Sequence, residues 1–240
     1  MVTAASRDQI AHDFTRLGLR RGDLVLCHSS LSSIGQVDGG AAAVVSALLD
    51  VIGSGGTLVV PAFTGESASA FTSETPTTMG AVPTALLAWP GRVRSAHPQV
   101  SVAAVGREAV PVCARQPWAY ALGAQSPFDE IVHRRGRILL IGVGHNRSSM
   151  LHHSESLIAD HRRKVRRFIV EDVKGTRWVE VPDVGNDNDT FFPVVGAEFE
   201  RQDPSVRVGK VGHARSTLFD AAPYDTFARK RLAELLPSSD

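Results

Sequence analysis

Two buried-strand patterns separated by a helix constrain the fold of this chain most strongly. Residues 23–28 and 56–61 are short apolar runs bounded by glycine and polar residues, which is typical of strands buried on both faces. Between them, an Ala-, Val- and Leu-rich helix begins at Gly39-Gly40 and ends near Gly53. Strands joined by such a crossover helix run parallel, so the pattern predicts a βαβ unit and a parallel sheet.

Further strand and helix patterns occur along the rest of the chain. Residues 137–142 predict a central strand and 101–105 a shorter one, while 165–182, around Lys174-Gly175, predict a β-hairpin. Helices are predicted at 6–18, 81–89, 149–160 and 224–236. Because no internal repeat or linker is present, we expect one α/β domain over residues 1–240. Its central, mostly parallel sheet is flanked by helices and carries an antiparallel extension.

The composition and the distribution of apolar residues argue against nucleic-acid binding, cysteine-based sites, secretion and membrane insertion. The 26 Lys and Arg residues against 25 Asp and Glu give a net charge of +1, so there is no global basic field for nucleic acid. Cys27 and Cys113 are too few for a disulfide framework or a cysteine-based zinc site. Residues 1–9 are unlike a signal peptide, and the apolar stretch 41–52 is too short to cross a membrane. We therefore expect a cytoplasmic protein without nucleic-acid or membrane partners.

A serine-rich turn follows the first predicted strand and consists of Ser29, Ser30, Leu31, Ser32 and Ser33. A turn that leads into a helix directs backbone N–H groups and hydroxyls at one point, where a phosphate oxygen would be stabilised. The alternative is that the serines only fill a tight turn and cap a helix. No Walker lysine motif occurs, which argues against a P-loop nucleotide hydrolase.

A second segment, residues 142–155, joins a Gly-x-Gly turn to a helix that carries a histidine. Ser149, His152 and Glu155 are three residues apart, so they occupy neighbouring positions on one helix face. A histidine titrates near neutral pH, and a carboxylate can orient it and stabilise its charged form, as general-base catalysis requires. The alternative is an ordinary helix with a solvated His–Glu pair.

The histidines of the same region raise the alternative of a metal site. They are His145, His152, His153 and His161. His152 and His153 are adjacent and face different directions, and no His-Glu-x-x-His motif is present. We therefore expect no metal.

Charged residues outside this segment form three further groups. Arg94 lies in the segment 92–98, where it could reach a phosphate, although loop arginines are more often solvated. The basic run 162–167 follows the predicted helix and would complement its dipole. Acidic residues of two polar loops, which would attract a polycation or simply form soluble surface, are Glu66, Asp183, Asp187 and Asp189.

Read in order, these segments resemble the aminoglycoside 3-N-acetyltransferase family over about residues 8–235. The matching pieces are 28–35, 39–40, 53–61, 75–80, 94–98, Ser101, 123–127, 140–145, 151–155, 209–214 and the final helix. Each piece is short, but their common order makes a chance match implausible. Ser149 stands where the family often has Thr, and Met150 departs from the small polar residue expected there.

The resemblance implies the family's own α/β fold and a transfer of the acetyl group of acetyl-coenzyme A, without a metal. The acceptor would be the 3-amino group of an aminoglycoside or a related polyamine sugar. By the family pattern, His152 is the general base, Glu155 its orienting partner, and Ser149 a hydroxyl that stabilises developing charge.

The resemblance also implies where the two substrates bind. The turn 29–33 would hold the pyrophosphate of the cofactor, and Arg94 and Ser95 would lie near the cofactor arm. Some of the four acidic residues named above would face the cationic sugar.

Alternatives to this function stay open at this point. They are acetyl transfer to a different amine, such as a biosynthetic intermediate, a non-catalytic coenzyme A-binding module, and a metal-dependent hydrolase. A homodimer is compatible with the sequence, which does not decide between resistance and biosynthesis.

Overall fold

The structure, a computed structural model, describes residues 4–65, 69–158, 163–184 and 190–236, with the backbone alone at 163, 183 and 184. The strands of this part of the chain are β1 (Leu24–Ser29), β2 (Thr57–Pro61), β3 (Val93–Arg94), β4 (Val102–Gly106), β5 (Arg137–Ile141), β6 (Arg163–Asp172), β7 (Gly175–Val184), β8 (Arg207–Val211) and β9 (Ala214–Asp220).

The predicted helices are present among the described residues, and further helices occur at 109–113, 127–133 and 192–202, where none was predicted. The helices of this part of the chain are α1 (Arg7–Leu17), α2 (Leu31–Ile34), α3 (Gly40–Ile52), α4 (Ala81–Leu87), α5 (Ala109–Cys113), α6 (Pro127–His133), α7 (Ser149–Ser156), α8 (Phe192–Gln202) and α9 (Ala221–Leu235), with a 3-10 turn at His145–Arg147. Among the residues described, no helix has both the length and the apolar character that a bilayer crossing requires.

The larger sheet has seven strands in the order β3-β4-β2-β1-β5-β9-β8. Strand β1 pairs in parallel with β2 and β5, whereas the other pairings are antiparallel. Five strands therefore run in one direction, and β4 and β9 run in the other. The predicted α/β fold is confirmed, with parallel pairing confined to the three central strands. The predicted antiparallel extension is the separate β6–β7 hairpin.

Apolar side chains cover both faces of the sheet because successive residues of a strand point to opposite faces. On β1, Leu24 and Leu26 belong to the core that includes residues of α6, α7, α8 and α9. Val25 and Cys27 belong to the core that includes residues of α1, α3 and α4. The same alternation places His28 on the α7 side of the sheet.

The predicted ends of α1 are confirmed, whereas the predicted end of α7 is wrong. Ser6 and Gln9 form the capping box of α1, and Gly18 ends it in a left-handed conformation, as predicted. The prediction of a helix to residue 160 was wrong, because α7 ends at Ser156. Residues 163–167 of the basic run consequently lie on β6, where Arg167 pairs with Glu180 across the hairpin and does not cap a helix.

Candidate active site

The two predicted functional segments meet at the carboxyl ends of β1 and β5. Ligands of α/β proteins commonly bind in the crevice outside such strand ends, where the connections diverge to the two sides. The N–H of Ser30 donates to the carbonyl of Ile141 over 2.9 Å, and the hydroxyl of Ser33 donates to the carbonyl of Gly142 over 3.2 Å. Gly142 has φ 63°, and a Cβ atom there would lie 2.3 Å from Cβ of Ser33. The close contact between the two turns therefore requires glycine.

The serine turn continues into the four-residue helix α2. Ser30 caps this helix, since its Oγ accepts from the backbone N–H of Ser33 over 3.4 Å. The same Oγ lies 2.9 Å from Oγ of Ser33 and 3.1 Å from Oγ of Ser32. The predicted capping role is thus present. The first N–H groups of a helix, here those of Leu31 and Ser32, have no partner within it, so an anion-binding role remains compatible with the same turn.

His152 and Glu155 form a hydrogen-bonded pair on α7. Nδ1 of His152 lies 3.1 Å from Oε2 of Glu155, whose side chain is fully buried, while the His152 side chain is 20% exposed. The ring of Phe192 meets the imidazole edge-on at 4.8 Å between centroids. Because a carboxylate only accepts hydrogen bonds, Nδ1 carries the proton in this pair and Nε2 keeps its lone pair. The arrangement suits a general base, because the buried carboxylate orients the ring and the ring is partly exposed to a substrate.

Ser149 is buried, and its contacts are made with a histidine that the sequence did not single out. The N–H of Ser149 donates to Nε2 of His28 over 3.0 Å, and its Oγ lies 3.2 Å from the same nitrogen. Burial lowers the pKa of His28 to about 3, so the ring is neutral near pH 7. His28 thus ties the end of β1 to the first turn of α7, and a role for Ser149 at the reacting centre remains a prediction.

A cavity of about 350 Å³ opens at the ends of β1 and β2, beside the contact between His28 and Ser149. Its lining includes Cys27, His28, Ser29, Pro61, Met79 and Arg147. The walls thus mix apolar side chains with polar ones, including a guanidinium contributed by the exposed Arg147. Such a mixture suits an elongated ligand with an apolar body and an anionic group.

Arg94 holds the loop after β2 rather than extending into solvent. Its Nε donates to the hydroxyl of Ser101 over 3.0 Å, and its Nη2 donates to the carbonyl of Ala62 over 2.8 Å. Its Nη1 donates to the carbonyls of Ser73 and Thr75. Burial lowers the pKa of this guanidinium to about 10. These contacts give Arg94 a role in the structure, and its predicted contact with a cofactor remains a prediction.

Ser95 is buried and bonded within the protein. Its Oγ accepts from the N–H of Val102 over 2.8 Å and donates to Oε1 of Gln116 over 2.5 Å. Its proposed position near a cofactor arm also remains a prediction.

The acidic residues predicted for a cationic ligand are described only in part. Glu66, Asp187 and Asp189 lie outside the described residues. For Asp183 the backbone alone is described; it lies on β7 and pairs with Lys164 of β6. Strand β7 packs against α7.

The neighbouring histidines are engaged in the core. His145 lies 2.7 Å from the hydroxyl of Tyr224 and 3.0 Å from Oε1 of Glu200, and its burial lowers its pKa. Nδ1 of His153 lies 2.7 Å from the carbonyl of Leu122, while His161 lies outside the described residues. Within the described ranges, no group of three or more His, Cys, Asp or Glu side chains is placed to hold a metal ion. That the reaction needs no metal remains a prediction.

The family of this chain follows from a match over most of its length. The family described as aminoglycoside 3-N-acetyltransferase matches residues 26–233, well over half of the chain. The chain belongs to the aminoglycoside 3-N-acetyltransferase family. It is an acyltransferase.

Individual members of the family agree with it over nearly the whole length. Aminoglycoside N(3)-acetyltransferase IX of Micromonospora chalcea is 34% identical, over 93% of this chain and 92% of the relative. The crystal structure of YokD from Bacillus subtilis has a TM-score of 0.92 at 30% identity, covering 99% of this chain and 97% of that one. AAC-IIIb in a binary complex with CoASH has a TM-score of 0.88 at 26% identity, covering 99% of this chain and 100% of that one. AAC-VIa bound to sisomicin has a TM-score of 0.90 at 25% identity, covering 98% and 100%.

In this aminoglycoside 3-N-acetyltransferase family member, the sequence analysis missed His28 and Arg147. The signal for His28 was its place at the carboxyl end of a buried strand, directly before the serine turn. The signal for Arg147 was a cation in the turn that follows another such strand, β5. His28 opens the family piece 28–35, but no role was predicted for it, and Arg147 lies outside the matching pieces. The convergence of β1 and β5 in space brings both to the site.

Proposed function

We propose that this enzyme transfers the acetyl group of acetyl-coenzyme A directly to the 3-amino group of an aminoglycoside, with His152 as general base. The observation that carries the proposal is the His152–Glu155 pair, with a buried carboxylate behind a partly exposed imidazole. A base placed in this way can accept a proton from a bound amine and is held in the tautomer that this requires.

Coenzyme A as the donor is supported by the complex of AAC-IIIb with CoASH. In the present enzyme the turn 29–33 would hold the pyrophosphate, and Arg147 would add positive charge beside the cavity. The cavity would take the thioester arm. His28 lines the cavity and contacts Ser149, which precedes His152 by three residues, about 4.5 Å along the helix axis. The arm would therefore bring the thioester towards His152.

The chemistry proposed for His152 follows from the tautomer of its imidazole ring. Nδ1–H donates to Glu155, so the lone pair of Nε2 takes the proton of the acceptor amine as that nitrogen attacks the thioester carbonyl carbon. A carbon–nitrogen bond forms and the carbon–sulfur bond breaks. The imidazolium, stabilised by the Glu155 carboxylate, then returns the proton to the departing thiolate. No covalent intermediate with the enzyme is needed.

The proposed acceptor is a cationic amino sugar, as in the structure of AAC-VIa bound to sisomicin. Glu66, Asp183, Asp187 and Asp189 would supply negative charge on the acceptor side, opposite the Arg147 side that suits the anionic cofactor. This division explains how a chain with a net charge of +1 can bind two substrates of opposite charge.

The experiment that tests this function is thiol release from acetyl-coenzyme A across a panel of amine acceptors, with the acetylated nitrogen located by NMR. We expect turnover with aminoglycosides and acetylation at the 3-amino group. Turnover with an unrelated amine alone would show that the proposed acceptor is wrong. Absence of turnover with every acceptor would favour a non-catalytic binding module. Activity that persists after exhaustive chelation is expected, and its loss would favour the metal hydrolase.

A further inference from the structure

Helix α8 packs against the segment that carries the proposed general base, and one face of the helix makes the contacts. Phe192, Gly196 and Glu200 are spaced four residues apart, so they lie in a row on that face. A Cβ atom on Gly196 would lie 1.9 Å from Cγ of His145, and Oε1 of Glu200 lies 3.0 Å from Nε2 of the same histidine. The helix is thereby held against the 3-10 turn that precedes α7.

The first residue of this row reaches the imidazole of the proposed base. The rings of Phe192 and His152 have centroids 4.8 Å apart and planes at 71°, the edge-to-face geometry that aromatic pairs favour. Phe192 is 1% exposed and belongs to the close-packed core, so its own position is fixed by its neighbours. His152 therefore contacts two buried groups, the carboxylate of Glu155 and the phenyl ring of Phe192.

The hydrogen bond to Glu155 alone leaves the imidazole a freedom that impairs a general base. The χ2 torsion of histidine is broad and roughly two-fold, and half a turn about it exchanges Nδ1 with Cδ2. Such a turn breaks the bond from Nδ1 to Glu155 and moves Nε2, the proposed proton acceptor, to a different place. Displacement of a reacting group by about 1 Å can cost on the order of a hundredfold in rate. A ring packed beside the imidazole hinders this rotation.

We propose that Phe192 is a positioning residue for acetyl transfer. Packed against the imidazole of His152, it holds the ring in the orientation that bonds Glu155 and directs Nε2 towards the acceptor amine. This inference rests on the proposed function, in which His152 is the general base. Phe192 acts only through the orientation of that ring.

The substitution Phe192→Leu removes the flat ring and leaves an apolar side chain in the core. Phe199→Leu is the matched control on the same helix. Phe199 is also 1% exposed, and its ring packs edge-to-face on Phe219 and Tyr224, at 5.5 and 4.9 Å between centroids. Both variants lose one buried aromatic ring of α8, so a general loss of packing should affect them similarly.

The kinetics of both variants are measured alone and in combination with His152→Ala. Phe192→Leu is expected to lower kcat by about tenfold, the upper part of what an aromatic pair contributes, with an unaltered KM for acetyl-coenzyme A. In the His152→Ala background the same substitution should cause no further loss, because the ring that it positions is gone. Phe199→Leu is expected to leave kcat unchanged in both backgrounds.

The ¹⁵N NMR signals of the imidazole report the tautomer directly. The signals of His152 are identified by their loss in His152→Ala and are observed on the alkaline side of the titration, where the ring is neutral. In the wild type and in Phe199→Leu they should show a ring protonated at Nδ1. In Phe192→Leu they should shift towards a mixture of the two tautomers.

The positioning role is overturned if kcat of Phe192→Leu matches that of Phe199→Leu, if the tautomer is unaltered, or if the loss persists in the His152→Ala background. If Phe192→Leu does not fold, Phe192→Met decides by the same comparisons, since methionine also fills a core without a flat ring. Wild-type transfer by His152→Ala would refute the proposed function itself. Loss of transfer in His152→Ala together with an unaltered Phe192→Leu enzyme refutes only the role of Phe192.

Discussion

Nδ1 of His152 lies 3.1 Å from Oε2 of Glu155, and the glutamate side chain is fully buried. The pair is thus oriented from the protein interior, with the imidazole between the carboxylate and the surface. This geometry gives the carboxylate two tasks in the proposed mechanism, to fix the tautomer of the ring and to stabilise its protonated form.

Replacing Glu155 by Gln should lower kcat by about a hundredfold or more, because the amide can bond Nδ1 in either tautomer and carries no charge. The KM for acetyl-coenzyme A should change little. Steady-state kinetics from pH 6 to 9 measures both parameters. A variant with unaltered kcat over this range would show that Glu155 does not assist the base.

Replacing Gly196 by Ala should destabilise the fold without touching the reacting groups. A Cβ atom at this position would lie 1.9 Å from Cγ of His145, which is held by Tyr224 and Glu200 just before α7. Overpacking of a core typically costs about 1–3 kcal/mol. Urea unfolding should show a loss of at least that size. Gly55→Ala is the control, since its nearest neighbour would be 3.9 Å away, and equal stability of the two variants would contradict the packing described here.

Replacing Arg94 by Lys should loosen the loop between β2 and α4. Lysine cannot reproduce the planar set of bonds to Ala62, Ser73 and Ser101, so the loop should open more often. Limited proteolysis should cleave the variant faster between residues 62 and 78. Arg115→Lys, at an exposed position, should be cleaved at the wild-type rate. Equal resistance of both variants would show that Arg94 does not hold the loop.

Acid should destabilise the protein partly through His97. Its Nδ1 accepts from the N–H groups of Gln99 and Val100, and burial lowers its pKa to about 4. Below the ordinary pKa of 6.5 the unfolded chain binds a proton that the folded protein does not. Stability is therefore lost as pH falls from about 6.5 to 4, by up to about 1.4 kcal/mol per pH unit.

The pH dependence of urea unfolding in His97→Gln checks this sign. The variant should be less stable near pH 7 but should lose less stability than the wild type between pH 6.5 and 4.5. The exposed His12→Gln should keep the wild-type slope. A His97→Gln slope as steep as that of the wild type would contradict the assignment to His97.

Local periodicity explains which parts of this structure could be predicted from the sequence. The βαβ unit, the hairpin and the helix face shared by His152 and Glu155 depend on residues close in sequence, and each is present. The end of α7 was misplaced because Leu157, Ile158 and Ala159 are residue types compatible with a helix. The strand β6, which begins at Arg163, is stabilised by its pairing with β7.

The features that could not be predicted depend on contacts between segments that are distant in the sequence. The antiparallel direction of β4 and β9 depends on which strands become neighbours, and the alternation of side chains along one strand does not determine that. His28 and Ser149 are 121 residues apart, so no spacing rule joins them. Ser149 shares a helix face with His152, yet its hydrogen bonds are made with β1.

Single-turnover acetyl transfer by His152→Ala, measured beside the Kd of coenzyme A, tests the central claim most directly. If His152 is the general base, the rate of transfer should fall by about a thousandfold, within the range that such catalysis contributes, while the Kd stays near that of the wild type. Transfer at the wild-type rate by a folded His152→Ala enzyme would contradict the account.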